Sequence, residues 1–121
     1  MALEDLRDEI LRYSTEAGCP ADSIEQLVCD CGGEDFTLFS DGAQGGALAV
    51  CFACEMNHSI YDSADFIEDV GQNVCACDAE VLKLMIGMAH REGGPDVRWI
   101  YVGAKCAACG LTGVFVDWEE P

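Results

Sequence analysis

Cations are what this chain has least of. Two lysines (Lys83, Lys105) and four arginines stand against 23 acidic side chains, a formal net charge of −17 over 121 residues. Non-specific grip on a phosphate backbone comes from clustered Lys and Arg, so this balance argues against nucleic acid as a partner. It favours a basic protein partner, or a chain whose charge serves only to keep it soluble. Long apolar runs are lacking too. None reaches the ~18 residues that suggest a membrane helix, and no basic segment followed by an apolar core and a cleavage site opens the chain. The expectation is a cytoplasmic protein with no membrane association.

Catalytic signatures are equally sparse. There is no phosphate-cradling glycine loop, no nucleophile elbow and no His-Glu-x-x-His. The two histidines, His58 and His90, have no base–nucleophile constellation around them and read as surface or loop residues. Glu34 and Glu80 recur at equal places in two halves of the chain, as do Asp62 and Asp117. A carboxylate repeated in this way suits a repeated structural task better than acid–base chemistry. No Pro- or Ser-rich linker occurs, so whatever units the chain contains are expected to pack together.

Cysteine, by contrast, is abundant: nine in all. Eight fall into a pattern that occurs twice. Each copy opens on Cys-x-Cys (Cys29 and Cys31; Cys75 and Cys77) and closes on Cys-x-x-Cys (Cys51 and Cys54; Cys106 and Cys109). Gln26-Leu27-Val28-Cys29-Asp30-Cys31 lies over Gln72-Asn73-Val74-Cys75-Ala76-Cys77 without a gap, and Cys51, Cys54 and Ile60 lie over Cys106, Cys109 and Phe115. The extra residues of the second copy all fall between its cysteine pairs, where a hairpin tip absorbs them.

Two short-spaced pairs supply a tetrahedral ion with four soft thiolates, which points to two four-cysteine sites holding structural Zn2+. Each copy is only about 45 residues, near the size below which a core alone seldom suffices. A structural zinc contributes roughly 10–16 kcal/mol, so metal removal should unfold such a unit. In an oxidising compartment the same nine cysteines would instead read as a disulfide framework with one left over. Cys19 lies outside both copies with no neighbouring cation to activate it, and reads as a small buried hydrophobe.

Leu3, Leu6, Ile10 and Leu11 lay an apolar stripe along a helix over 2–17, with Gly18 as its stop. Asp22 or Ser23, with Gln26 in capping-box position, predicts a short second helix. Strands are expected over Phe36–Phe39, Ala47–Val50 and Ser59–Tyr61, and in the second copy over the runs containing Leu82–Met88, Val97–Val102 and Val114–Val116. A hairpin loop is expected over Asp41–Gly46, a turn over Glu92–Asp96, and a helical turn around Phe66, Ile67 and Val70. Both faces of the second hairpin are apolar, which implies burial on two sides or an exposed contact face around Trp99 and Tyr101. The organisation is a helical cap (1–26), a first four-cysteine repeat (27–72) and a second (73–121).

This arrangement resembles the zinc-ribbon and rubredoxin-like group, in which two cysteine turns on adjacent hairpins clamp one metal. The resemblance implies Cys29, Cys31, Cys51 and Cys54 on one ion and Cys75, Cys77, Cys106 and Cys109 on the other. It leaves open whether half-sites pair within or between copies. Both opening pairs hold one intervening residue where the group usually has two, which keeps zinc ahead of redox iron. The expected protein is thus small, metal-stapled and mainly β with an N-terminal helix. The expected function is a zinc-binding, non-enzymatic protein-interaction module with an acidic surface. The alternatives are an acidic inhibitor or immunity-type protein that neutralises a basic partner, and a rubredoxin-like iron electron carrier.

Overall fold

The computed structural model describes residues 3–41, 46–60, 71–90 and 96–119. Among these are one helix, α1 (Glu4–Glu16), and eight strands: β1 (Ser23–Gln26), β2 (Phe36–Asp41), β3 (Gly46–Cys51), β4 (Asn57–Ser59), β5 (Gly71–Asn73), β6 (Leu82–His90), β7 (Val97–Cys106) and β8 (Thr112–Glu119). The protein is mainly β with an N-terminal helix.

The strands form two antiparallel quartets. β4-β3-β2-β5 belongs to the first tetracysteine unit, and β8-β7-β6-β1 to the second. They join where Phe36 of β2 pairs with Leu82 of β6. The outer strand of each quartet comes from the other copy's lead-in. β1, which runs toward Cys29, pairs with β6 (Gln26 opposite Met85), and β5, which runs toward Cys75, pairs with β2 (Gln72 opposite Phe39). Gln26 and Gln72 are equivalent in the repeat, as are Phe39 and Met85, so the exchange is reciprocal. The short helix expected near Ser23 is therefore a strand. Its capping pattern is overridden because four residues gain a full β ladder on β6, with Ile24 buried, whereas so short a helix would satisfy few of its own amides.

A main core draws on both quartets: Phe36, Leu38, Ala47 and Ala49 from the first, and Leu82, Leu84, Ile100, Val102, Ala104, Val116 and Trp118 from the second. Cys29, Cys51, Cys75 and Cys106 are part of it, so each metal-type site grows out of the core by the first cysteine of each pair.

α1 covers the opposite face of the second quartet. Leu6, Ile10 and Ser14 form its buried stripe, while Leu11 points outward. The departure from the expected stripe follows from spacing, since 6, 10 and 14 share one side of a 3.6-residue helix and 11 is rotated away. Ser14 is fully buried and satisfied: its hydroxyl donates to the Leu11 carbonyl and accepts the Ala21 amide. Gly18, at φ +82°, ends the helix as expected. Ile10 sits over Gly87 and Gly103, whose bare backbones let the helix approach closely.

The two apolar faces of the β6–β7 hairpin thus resolve into burial on both sides. Tyr101 has no exposed surface and donates its hydroxyl to the Cys19 carbonyl at 2.8 Å, so it is no contact anchor. Trp99 is half-buried against Tyr101 and donates to Asp117. Cys19 is buried, as expected. The third strand of the first unit is Asn57–Ser59, two residues earlier than expected, with Ile60 buried after it. Tyr61, Asp62, the Phe66–Val70 turn and most of the Asp41–Gly46 and Glu92–Asp96 turns lie outside the described residues.

Candidate metal centres

Each Cys-x-Cys pair sits on a tight turn. The Cys29 amide donates to the Gly33 carbonyl (2.9 Å) and the Gly32 amide to the Cys29 carbonyl (2.8 Å). The same bonds recur as Cys75 to Ala79 (2.9 Å) and Asp78 to Cys75 (2.8 Å). Each Cys-x-x-Cys pair sits at the end of a strand and is closed in the same way. Cys51 donates to Met56 (2.9 Å) and Glu55 to Cys51 (2.8 Å), mirrored by Cys106 to Leu111 (2.9 Å) and Gly110 to Cys106 (3.0 Å). A further twin bond ties the two turns of each unit together: Phe52 to the Asp35 carbonyl, and Ala107 to the Val81 carbonyl.

These turns need one residue in the left-handed region each, and the copies fill it differently. Gly32 (φ +88°) in the first copy corresponds to Asp78 (φ +72°) in the second, and Glu55 (φ +65°) in the first corresponds to Gly110 (φ +79°). Each site thus uses one glycine and one acid. After the Cys-x-x-Cys pair the second copy meets this need with Gly110, while the first meets it with a glutamate, a residue that carries a steric cost there.

The four sulfurs of Cys29, Cys31, Cys51 and Cys54 all lie within 4.8 Å of one another, and so do those of Cys75, Cys77, Cys106 and Cys109. Half-sites therefore pair within a copy. Cys29 Sγ is 3.4 Å from Cys54 Sγ and Cys31 Sγ is 3.7 Å from Cys51 Sγ. The second set gives 3.5 Å (Cys75 to Cys109) and 3.6 Å (Cys77 to Cys106). These separations are far beyond a disulfide bond of about 2.05 Å. A tetrahedron of thiolates at about 2.3 Å from a central ion has edges of about 3.8 Å, so both quartets fit a four-thiolate metal with little movement. In each quartet two cysteines are buried (Cys29, Cys51; Cys75, Cys106) and two are exposed (Cys31, Cys54; Cys77, Cys109).

The local fields are also twinned. The Cys54 backbone N–H holds the Cys51 thiol down at about 7, against the opposing effect of burial and with help from the Ala53 N–H. The Cys109 N–H does the same to Cys106, down to about 6, with help from Ala108. At Cys29 the Cys31 N–H also acts downward, but burial and the three neighbouring thiols together push the group up to about 12. Cys75 is raised to about 12 in the same way. Four thiols so close cannot all ionise without a cation between them, while the amides aimed at Cys51 and Cys106 are ready to receive a thiolate.

The remaining candidates fall elsewhere. His58, expected at the surface or in a loop, is on β4 and packs edge-on against Phe36 (centroids 5.6 Å apart), with its Nε2 buried without a hydrogen-bond partner among the described residues. His90 lies 3.5 Å from Asp22 at the far end of β6. Glu34 accepts from Gln26, and Asp117 accepts from both Tyr13 and Trp99; these are structural duties. Among the described residues no helix is long and apolar enough to cross a membrane.

Compared with protein-family models, curated proteins and solved structures, the chain matches none.

Proposed function

We propose that this protein is a zinc-binding, non-enzymatic protein-interaction module that carries two Zn2+, one in each cysteine quartet. The observation that supports it most is the pair of sulfur quartets, each gathered within 4.8 Å and each built by the same backbone bonds. Four protein thiolates fill a tetrahedral ion's coordination, so in this reading the metal is a structural staple with no open position for water or substrate. Free thiols in this geometry suit a reducing compartment, which supports a cytoplasmic location. Residues 27–72 and 73–121 each carry one ion in this reading, with 1–26 as a cap on the second. The net charge of −17 favours a basic protein as partner, and neutralisation of such a partner is the variant of this reading that the charge also supports.

Native mass spectrometry with elemental analysis of the purified chain tests the metal. Two zinc ions per chain are expected, with loss of β structure on chelation. Iron in their place would replace the staple with a rubredoxin-like electron carrier, and a metal-free folded chain would remove the reading altogether.

A further inference from the structure

The repeat provides its own control. In the second unit Ala76, Ala107 and Ala108 stand between the ligands and Gly110 follows the last of them, while Asp78, after Cys77, holds the left-handed place that Gly32 has in the first. At the equivalent places the first unit has Asp30, Phe52, Ala53 and Glu55, with the same hydrogen bonds closing the turns. Three of these four positions thus hold a larger or charged side chain that the turn does not need.

Each of the three carries a cost or leaves a group unused. Phe52 is 63% exposed, the most exposed large hydrophobic residue described, where its counterpart is Ala107; Val28 and Met56 are exposed too, as Val74 and Leu111 are at the equivalent places. Glu55 holds φ +65° where its counterpart is Gly110, a strain on a non-glycine backbone that the second unit bears at Asp78 instead. Asp30 and Glu55 are exposed and take part in no ion pair among the described residues. Meanwhile Arg12, Lys83 and Lys105 already pair with Glu9 and Glu16, Asp35, and Asp5. An exposed aromatic ring and two unpaired carboxylates on the turns of one quartet are the composition of a contact surface, not of a solvated turn.

We propose that the first cysteine-turn pair is a docking tip for a basic protein segment, seating an apolar side chain of the partner against Phe52, Val28 and Met56 while its Lys or Arg side chains engage Asp30 and Glu55. The second unit, with Ala76 and Ala107 at the corresponding places, lacks the aromatic ring and the carboxylate of Phe52 and Asp30. The charge decides the occupant: a second copy of this chain would bring another −17 to the contact, whereas a basic segment is complementary. The inference rests on the metal reading above, because the ion sets both turns.

The test uses the full metal-loaded chain and a synthetic peptide of Lys, Arg and Gly with one central Trp. Matched peptides carry Ala for Trp, or Glu for the cations. Native mass spectrometry first establishes the metal content, so a missing ion strikes the metal reading before any peptide is added. At physiological salt, amide shifts on peptide addition are expected at Val28, Asp30, Phe52, Glu55 and Met56, and not at Val74, Ala76, Ala107, Gly110 or Leu111. Phe52→Ala and Glu55→Gly should each weaken binding about tenfold while two ions per chain are retained. Glu55→Gly should also leave the urea midpoint unchanged or raised, since it restores the residue its counterpart uses. Shifts spread over both units, variants that bind as well as the parent, no binding at all, or shifts that grow with protein concentration alone would each overturn the proposal.

Discussion

Phe36 and Leu82, which occupy the same place in the two copies of the repeat, lie directly opposite one another across the junction of the two strand quartets. An antiparallel rung between equivalent residues is what a two-fold relation produces. The reciprocal pairs Gln26 with Met85 and Gln72 with Phe39 obey the same relation. Lys83 of the second copy reinforces the junction by its ion pair to Asp35 of the first, at 2.9 Å.

The two units should consequently unfold together. Both tryptophans, Trp99 and Trp118, lie in the second unit, so their fluorescence reports that half. Phe36→Ala, a truncation in the first unit, is expected to cost about 3–5 kcal/mol. It should shift the fluorescence-detected urea midpoint as much as the midpoint from far-UV circular dichroism. A fluorescence midpoint that stays put would mean that the halves fold independently.

The approach of α1 depends on a missing side chain. A Cβ at Gly103 would fall 2.5 Å from Ile10 Cδ1 and 3.1 Å from Leu6 Cδ1, and both partners are fully buried. Gly103→Ala is expected to destabilise by about 1–3 kcal/mol in urea denaturation. Combined with Ile10→Ala, the loss should be smaller than the sum of the two single losses, because the second change vacates the space the first one fills.

His58 offers the opposite result. Its buried Nε2 has no partner among the described residues, while its ring packs on Phe36. Replacing it with Phe keeps the ring contact and removes the unsatisfied atom. A gain of about 1 kcal/mol in urea denaturation is expected, with metal content unchanged. A loss would show that the imidazole nitrogen is needed.

Alkali should weaken the fold through Tyr101. Burial, chiefly, pushes its phenol above its ordinary range, and Tyr13 is raised in the same sense by burial and its bond to Asp117. The folded state therefore holds these protons more tightly than the unfolded chain does. Their contribution is fully present below the unfolded value of about 10 and is lost as pH rises toward the folded value. Urea midpoints should fall above about pH 10. Tyr101→Phe should show a shallower fall, from a stability already reduced by about 1–3 kcal/mol because the Cys19 carbonyl loses its donor.

The eight cysteines, their four pairs and the duplication were legible in the sequence because cysteine spacing is local chemistry, with one or two residues between partners on a tight turn; that each quartet closes within one copy was decided by the tertiary structure. The helix at Glu4–Glu16 and the long second hairpin were legible for a similar reason, since periodicity records which side of an element is buried. Which partner a four-residue strand chooses is not written in this way. Ser23–Gln26 carries a helix-capping pattern, yet it becomes the edge strand of the other copy's quartet, because it finds its ladder on β6, some sixty residues further along, and Ile24 its burial in the cluster with Leu6 and Ile10 of α1. Tyr101 could equally have faced solvent until α1 closed over Gly87 and Gly103. Local spacing determined the half-sites; long-range hydrogen bonding and close packing decided which half-sites meet, how the two units share strands, which apolar side chains are hidden, and that Phe52 is left in the open.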